Sequence, residues 1–96
     1  MESEATNVFP IYPYLLLVEF NWGREYRLFD FSHKLPEAIY APLGDLSVFR
    51  QAKVDPAAGT VTWPGEITLT VQTIYDQSLP LTFPQRLPGY IRKPPG

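Results

Sequence analysis

His33 is the chain's one histidine, and Asp30 and Ser32 stand beside it in sequence. An imidazole, a hydroxyl and a carboxylate make a hydrolytic triad when the imidazole takes the hydroxyl proton and the carboxylate orients the imidazole. Triad members normally converge from separate segments, and neighbours on extended backbone point apart. The trio therefore reads as a solvated loop after a strand. The chain has no cysteine, which excludes disulfides, thiolate nucleophiles and zinc–cysteine sites. Asp30, Asp45, Asp55 and Asp76 lack the spacing of a calcium loop and suit turns and caps. Gly23, Gly44, Gly59, Gly65 and Gly89 are isolated, so no phosphate-cradling loop is present. No catalytic residue, metal or other cofactor is expected.

Binding chemistry has more to work with. Trp22, Tyr26 and Trp63, with Arg24 and Arg27 nearby, are the residue types that stack and neutralise single-stranded nucleic acid. Charge argues against that reading. The net charge is −2. Residues 1–80 hold all ten acids against Arg24, Arg27, Lys34, Arg50 and Lys53, giving −5, a poor match for phosphate. Residues 81–96 hold Arg86, Arg92 and Lys93 and no acid, giving +3. The run from Gln85 to Pro95 is basic, aromatic and proline-rich, a composition that docks into grooves at low entropic cost. The candidate partner-binding residues are Trp22, Arg24, Arg86, Tyr90, Arg92 and Lys93.

Several elements must position these groups. Tyr14–Phe20 is the clearest strand, with Tyr14, Leu16, Val18 and Phe20 on one face by period two. Leu15, Leu17 and Glu19 make a second face that is also partly apolar and invites a cover. Asn21-Trp22-Gly23 turns the chain into a second strand, Glu25–Phe31, and the two form a hairpin. Pro10 and Pro13 restrict Val8–Pro13 to an edge. Pro36–Tyr40 is compatible with one helical turn. Asp45 can cap another through Leu46–Arg50, with Leu46 and Phe49 inward. Ala52–Asp55 and Thr60–Trp63 flank the turn Pro56–Gly59 as a second hairpin. Thr70 suits the N-cap of a helix over Val71–Gln77, whose Val71, Ile74 and Tyr75 form an apolar stripe.

The expected fold is small α+β: two antiparallel hairpins, short central helical turns and one late helix. Residues 1–7 are expected to fray, residues 8–78 to form one domain, and residues 79–96 to form a proline-rich tail. A chain of 96 residues, 45% hydrophobic, can bury one core. The longest apolar run, Leu15–Val18, is far short of the roughly 20 residues that span a bilayer. Met1–Thr6 is acidic and polar, unlike a secretory signal. No membrane association and a cytoplasmic location are expected.

The order of signals resembles the small bacterial family filed as domain of unknown function 2442. The resemblance rests on Tyr14–Phe20, Glu25–Asp30, Ala41–Asp45, Phe49, Val54-Asp55, Gly59–Pro64 and Ile74-Tyr75, and covers about residues 8–78. It implies a small α+β fold and carries over no catalytic residue. Some members bear an added helix-turn-helix domain. Others are encoded beside a small partner in a toxin–antitoxin-like arrangement. The resulting expectation is a non-enzymatic protein-interaction module, antitoxin-like or accessory to a small operon partner, or self-associating. The alternatives are a carboxylate-based enzyme or small-ligand domain, and single-stranded nucleic-acid binding through sheet aromatics.

Overall fold

Leu16, Val18 and Phe20 alternate with Leu15, Leu17 and Glu19, and the backbone answers that pattern. In the computed structural model, which describes residues 4–81, Leu15–Phe20 is strand β2. Leu16, Val18 and Phe20 are fully buried. β2 pairs antiparallel with β3, Glu25–Asp30, as the expected hairpin. On its other side lies β1, Ala5–Ile11. The paired strand thus begins within the stretch expected to fray. Ala5 is buried opposite Phe20, and the Asn21 N–H donates to the Glu4 carbonyl at 2.8 Å, which anchors this end. Pro10 sits in β1 at a sheet edge, where a missing ladder donor costs least.

The second hairpin is also present and gains a strand. β4, Lys53–Asp55, pairs with β5, Thr60–Trp63, and β5 pairs with β6, Ile67–Thr70. A turn through Gly65 and Glu66, both at positive φ, joins β5 to β6. Between the two sheets the chain makes a 3-10 segment over Ala38–Gly44 and the short helix α1, Leu46–Phe49. The 3-10 form replaces the turn expected at Pro36–Tyr40. Pro42 lies inside the segment and has no N–H for an α-helical bond. Asp45 caps α1 as expected, its Oδ1 accepting from the Ser47 N–H at 2.9 Å.

Helix α2, Val71–Gln77, starts at Thr70, whose Oγ1 accepts from the Thr73 N–H at 3.2 Å. Immediately after α2, Leu79–Leu81 adds β7 to the free edge of β3. The first sheet therefore runs β1-β2-β3-β7 and the second β4-β5-β6, an α+β fold. β7 takes up the first residues of the stretch assigned to the tail. An extended proline-containing segment can pair at an edge, which is where Pro80 lies.

One core joins both sheets. Phe31 packs against Tyr40, Phe49 and Trp63 at centroid distances of 5.2, 5.4 and 5.3 Å. Leu43, Val61 and Ile74 complete it without exposure. α2 is fastened to the first sheet by Arg27. Its Nε donates to Ser78 Oγ at 2.6 Å, its Nη2 to the Ser78 carbonyl at 2.9 Å and its Nη1 to Glu25 at 2.9 Å. The guanidinium also lies 4.2 Å from the Tyr75 ring centroid.

Candidate interaction face

The polar groups that might do chemistry are spent on local structure. Ser32 donates its hydroxyl to Asp30 Oδ1 at 2.6 Å, and His33 Nε2 lies 3.5 Å from Asp30 Oδ2. Both partners meet the carboxylate, so the hydroxyl–imidazole bond on which a triad depends is not made. Asp45 is bonded in the same manner to Ser47, and Asp55 Oδ1 accepts from the Ala58 N–H at 3.2 Å. The Ser32 hydroxyl, then its backbone N–H, hold Asp30 below the usual carboxylate range. The Ser47 hydroxyl and N–H do the same for Asp45. Stabilised carboxylates of this kind are poor general acids. Among the described residues no group of three or more His, Asp or Glu side chains is placed to hold a metal ion.

A surface of a different kind lies on the outer side of the four-stranded sheet. Cross-strand partners share a face. The register sets Phe9 opposite Leu17, Leu17 opposite Leu28, and Leu28 opposite Leu79, an apolar row across all four strands. Ile11 and Leu15 extend it toward one end, and Leu81 lies toward the other. Phe9, Ile11, Leu79 and Leu81 are exposed, Leu79 at 72%. Leu15, Leu17 and Leu28, in the middle of the face, are half-buried.

Two carboxylates flank the row on this face, each held by neutral donors: Asp30, opposite Leu15, by Ser32, and Glu19 by residues of β1 and β3. Glu19 Oε1 accepts from the Thr6 hydroxyl at 2.8 Å and from Asn7 at 3.3 Å, and Oε2 accepts from the Tyr26 hydroxyl at 3.0 Å. These bonds, Thr6 first, lower the Glu19 pKa, and the bond to Glu19 raises that of Tyr26.

Trp22 stands at the same end. Its backbone is left-handed, φ 60° and ψ 38°, between Asn21 at φ 55° and Gly23 at φ 94°. A bulky residue in that region is an outlier and stores strain, and such strain concentrates at functional positions. The turn is held by β1: the Trp22 N–H donates to Thr6 Oγ1 at 3.3 Å, and Asn21 Oδ1 accepts from the Glu4 N–H at 3.1 Å. The indole is 77% exposed. An exposed aromatic on a constrained turn beside an apolar sheet face is a suitable interface anchor.

Residues 5–80 match the model of the family described as Protein of unknown function (DUF2442). The chain belongs to this family. Comparison with curated proteins and with solved structures gives no match.

In this DUF2442 member the six expected partner-binding residues divide. Trp22 and Arg24 lie together at the exposed β2–β3 turn. Arg86, Tyr90, Arg92 and Lys93 lie outside the described residues. Residue types alone missed the row of Phe9, Leu17, Leu28 and Leu79. Its signal was the partly apolar second face of β2, but only the register shows which other side chains join it. The stacking surface imagined for nucleic acid is not assembled. Trp63 is 4% exposed and gives its Nε1–H to the Phe49 carbonyl at 2.9 Å, while Tyr26 is bonded to Glu19. In this DUF2442 chain no described helix is long and apolar enough to cross a membrane.

Proposed function

We propose that the chain is a non-enzymatic protein-interaction module of the cytoplasm, binding a protein through the outer face of its four-stranded sheet with Trp22 as a rim anchor. The observation that carries this reading is the apolar row Phe9–Leu17–Leu28–Leu79, with Phe9 and Leu79 exposed, on a face whose carboxylates, Glu19 and Asp30, are already hydrogen-bonded. Removing apolar area from water is the main driving force of protein association, at about 25 cal/mol per Å². The locally bonded carboxylates Asp30 and Asp45 favour binding over catalysis as the work of this domain. An antitoxin-like or accessory role beside a small operon partner is the form suggested by the family resemblance.

The test is capture on the tagged full-length chain in its native host, with an untagged copy co-expressed. Wild type is compared with Leu17→Arg and Trp22→Ala, each verified as folded by circular dichroism. The expected result is a stoichiometric protein, another gene product or the untagged copy, retained by wild type and lost from Leu17→Arg. Retention of no protein, or equal retention by both variants, overturns the proposal.

A further inference from the structure

We infer that the occupant of the outer sheet face in the free chain is the chain's own C-terminal stretch, residues 82–96, folded back across the apolar row so that a protein partner must displace it. The inference rests on the interaction reading above and adds the segment that competes with the partner.

The first argument is where the described chain ends. Leu81 lies opposite Tyr26, and Tyr26 opposite Glu19, so Leu81 stands on the outer face beside the row of Phe9, Leu17, Leu28 and Leu79. β7 runs antiparallel to β3, so the chain leaves it heading toward the turn at Trp22. Residues 82–96 therefore start at the rim of the patch. A segment joined so closely to its site meets it at an effective concentration on the order of millimolar. Strands about 4.8 Å apart set the outermost two of four roughly 15 Å apart, a span that about five extended residues cross.

The second argument is complementary chemistry. The stretch brings Phe83, Leu87, Tyr90 and Ile91 to an apolar row whose ends, Phe9 and Leu79, are exposed. It also brings Arg86, Arg92 and Lys93 and no acid. The face brings two carboxylates, Glu19 on one side of the row and Asp30 on the other. Their hydrogen-bond donors from Thr6, Asn7, Tyr26 and Ser32 carry no positive charge. Among the described residues no lysine or arginine pairs with either carboxylate, and the one basic neighbour is His33, 3.5 Å from Asp30.

Spacing agrees. Glu19 and Leu15 share a face of β2, and Asp30 is the cross-strand partner of Leu15, which sets the two carboxylates roughly 15 Å apart. Arg86 and Arg92 are joined by a chain that reaches about 20 Å when extended. With Arg86 at Glu19 and Arg92 at Asp30, Leu87, Tyr90 and Ile91 fall over the row between them. Exposed ion pairs set register more than affinity, and apolar burial holds the segment. Pro84, Pro88 and Pro94 fix φ and reduce the entropy lost on ordering.

The chain has no cysteine, so a nitroxide can be attached at one chosen position. In the full-length chain spin-labelled through Gly89→Cys, the amides of Leu17 and Leu28 are expected to broaden far more than those of Thr68 and Leu69 in β6. Arg86→Glu combined with Arg92→Glu is expected to remove that difference. Apparent affinity scales with the fraction of the face left open, so the same variant is expected to capture the partner about threefold more strongly. Face amides no broader than those of β6 overturn the inference, as does capture that charge reversal leaves unchanged. Equal broadening of isotope-labelled wild type by an admixed spin-labelled chain also overturns it, because the stretch then lies on another copy. If Leu17→Arg releases a captured protein while the label leaves the face untouched, the interaction function stands and only the competing segment falls. If the label broadens the face but neither wild type nor the charge-reversed chain captures a protein, the interaction reading falls and the intramolecular contact stands.

Discussion

Trp63 Nε1 donates to the Phe49 carbonyl at 2.9 Å while the two rings stack with centroids 6.2 Å apart. The bond is buried and joins β5 to the end of α1; together with the Tyr40 hydroxyl, which donates to the Thr68 carbonyl of β6 at 3.3 Å, it fastens the helical connector to the three-stranded sheet. Trp63→Phe keeps a ring but removes the stronger of that carbonyl's two donors, the Ala52 N–H remaining at 3.3 Å. The expected loss is about 0.5–1.5 kcal/mol of unfolding free energy, measured by urea denaturation, with capture through the outer face unchanged in the folded protein.

Arg27 holds Ser78 through two nitrogens and Glu25 through a third. Lysine carries the charge without the planar fork. Arg27→Lys is expected to cost about 1–2 kcal/mol, discounted for the partial exposure of Glu25. Hydrogen exchange locates the effect, with the α2 amides opening faster than those of β5.

The Glu19 carboxylate gives the fold a signed pH dependence. Thr6, Tyr26 and Asn7 lower its native pKa. Its contribution is therefore full above the unfolded carboxylate value and disappears as pH falls through the lower native one. Melting temperatures of wild type and Glu19→Gln are expected to differ most near neutrality and to converge below about pH 4. Asp30 and Asp45 are present in both proteins and cancel from the difference. A gap that widens on acidification contradicts the assignment.

Trp22 sets stability against binding. Asn tolerates the left-handed region far better than a bulky aromatic. Trp22→Asn is expected to raise unfolding free energy by about 0.5–1 kcal/mol while weakening capture of the partner. Thermal melts and capture are read on the same preparations. A destabilised variant with full capture would assign the indole to packing.

The sequence exposes elements whose signals are local. The Thr70 cap and the stripe Val71, Ile74 and Tyr75 place α2; Asp45 places α1; alternation in Leu15–Phe20 separates the two faces of β2. Other elements depend on distant partners. Ile67–Thr70 is four residues between a Gly turn and a helix, too short for periodicity to mark. Pro80 conceals β7, because proline reads as a breaker until an edge is known. Trp22 is visible as a turn residue, but its positive φ is not. The apolar row is legible only as a suspicion at Leu15 and Leu17, since Phe9, Leu28 and Leu79 join through register rather than nearness in sequence.

Arg27 and Ser78, which bring β7 to its place, are 51 positions apart, whereas β2 and β3 meet across the short turn at Trp22. Loop closure is cheaper over short spans, so the β2–β3 hairpin is set to form early and the β3–β7 pairing late. Leu17 and Leu28 can come together while α2 is still being made, but Leu79 reaches the row only after synthesis has passed it. A nascent chain therefore presents an incomplete surface, and full association is expected only once the last strand has docked.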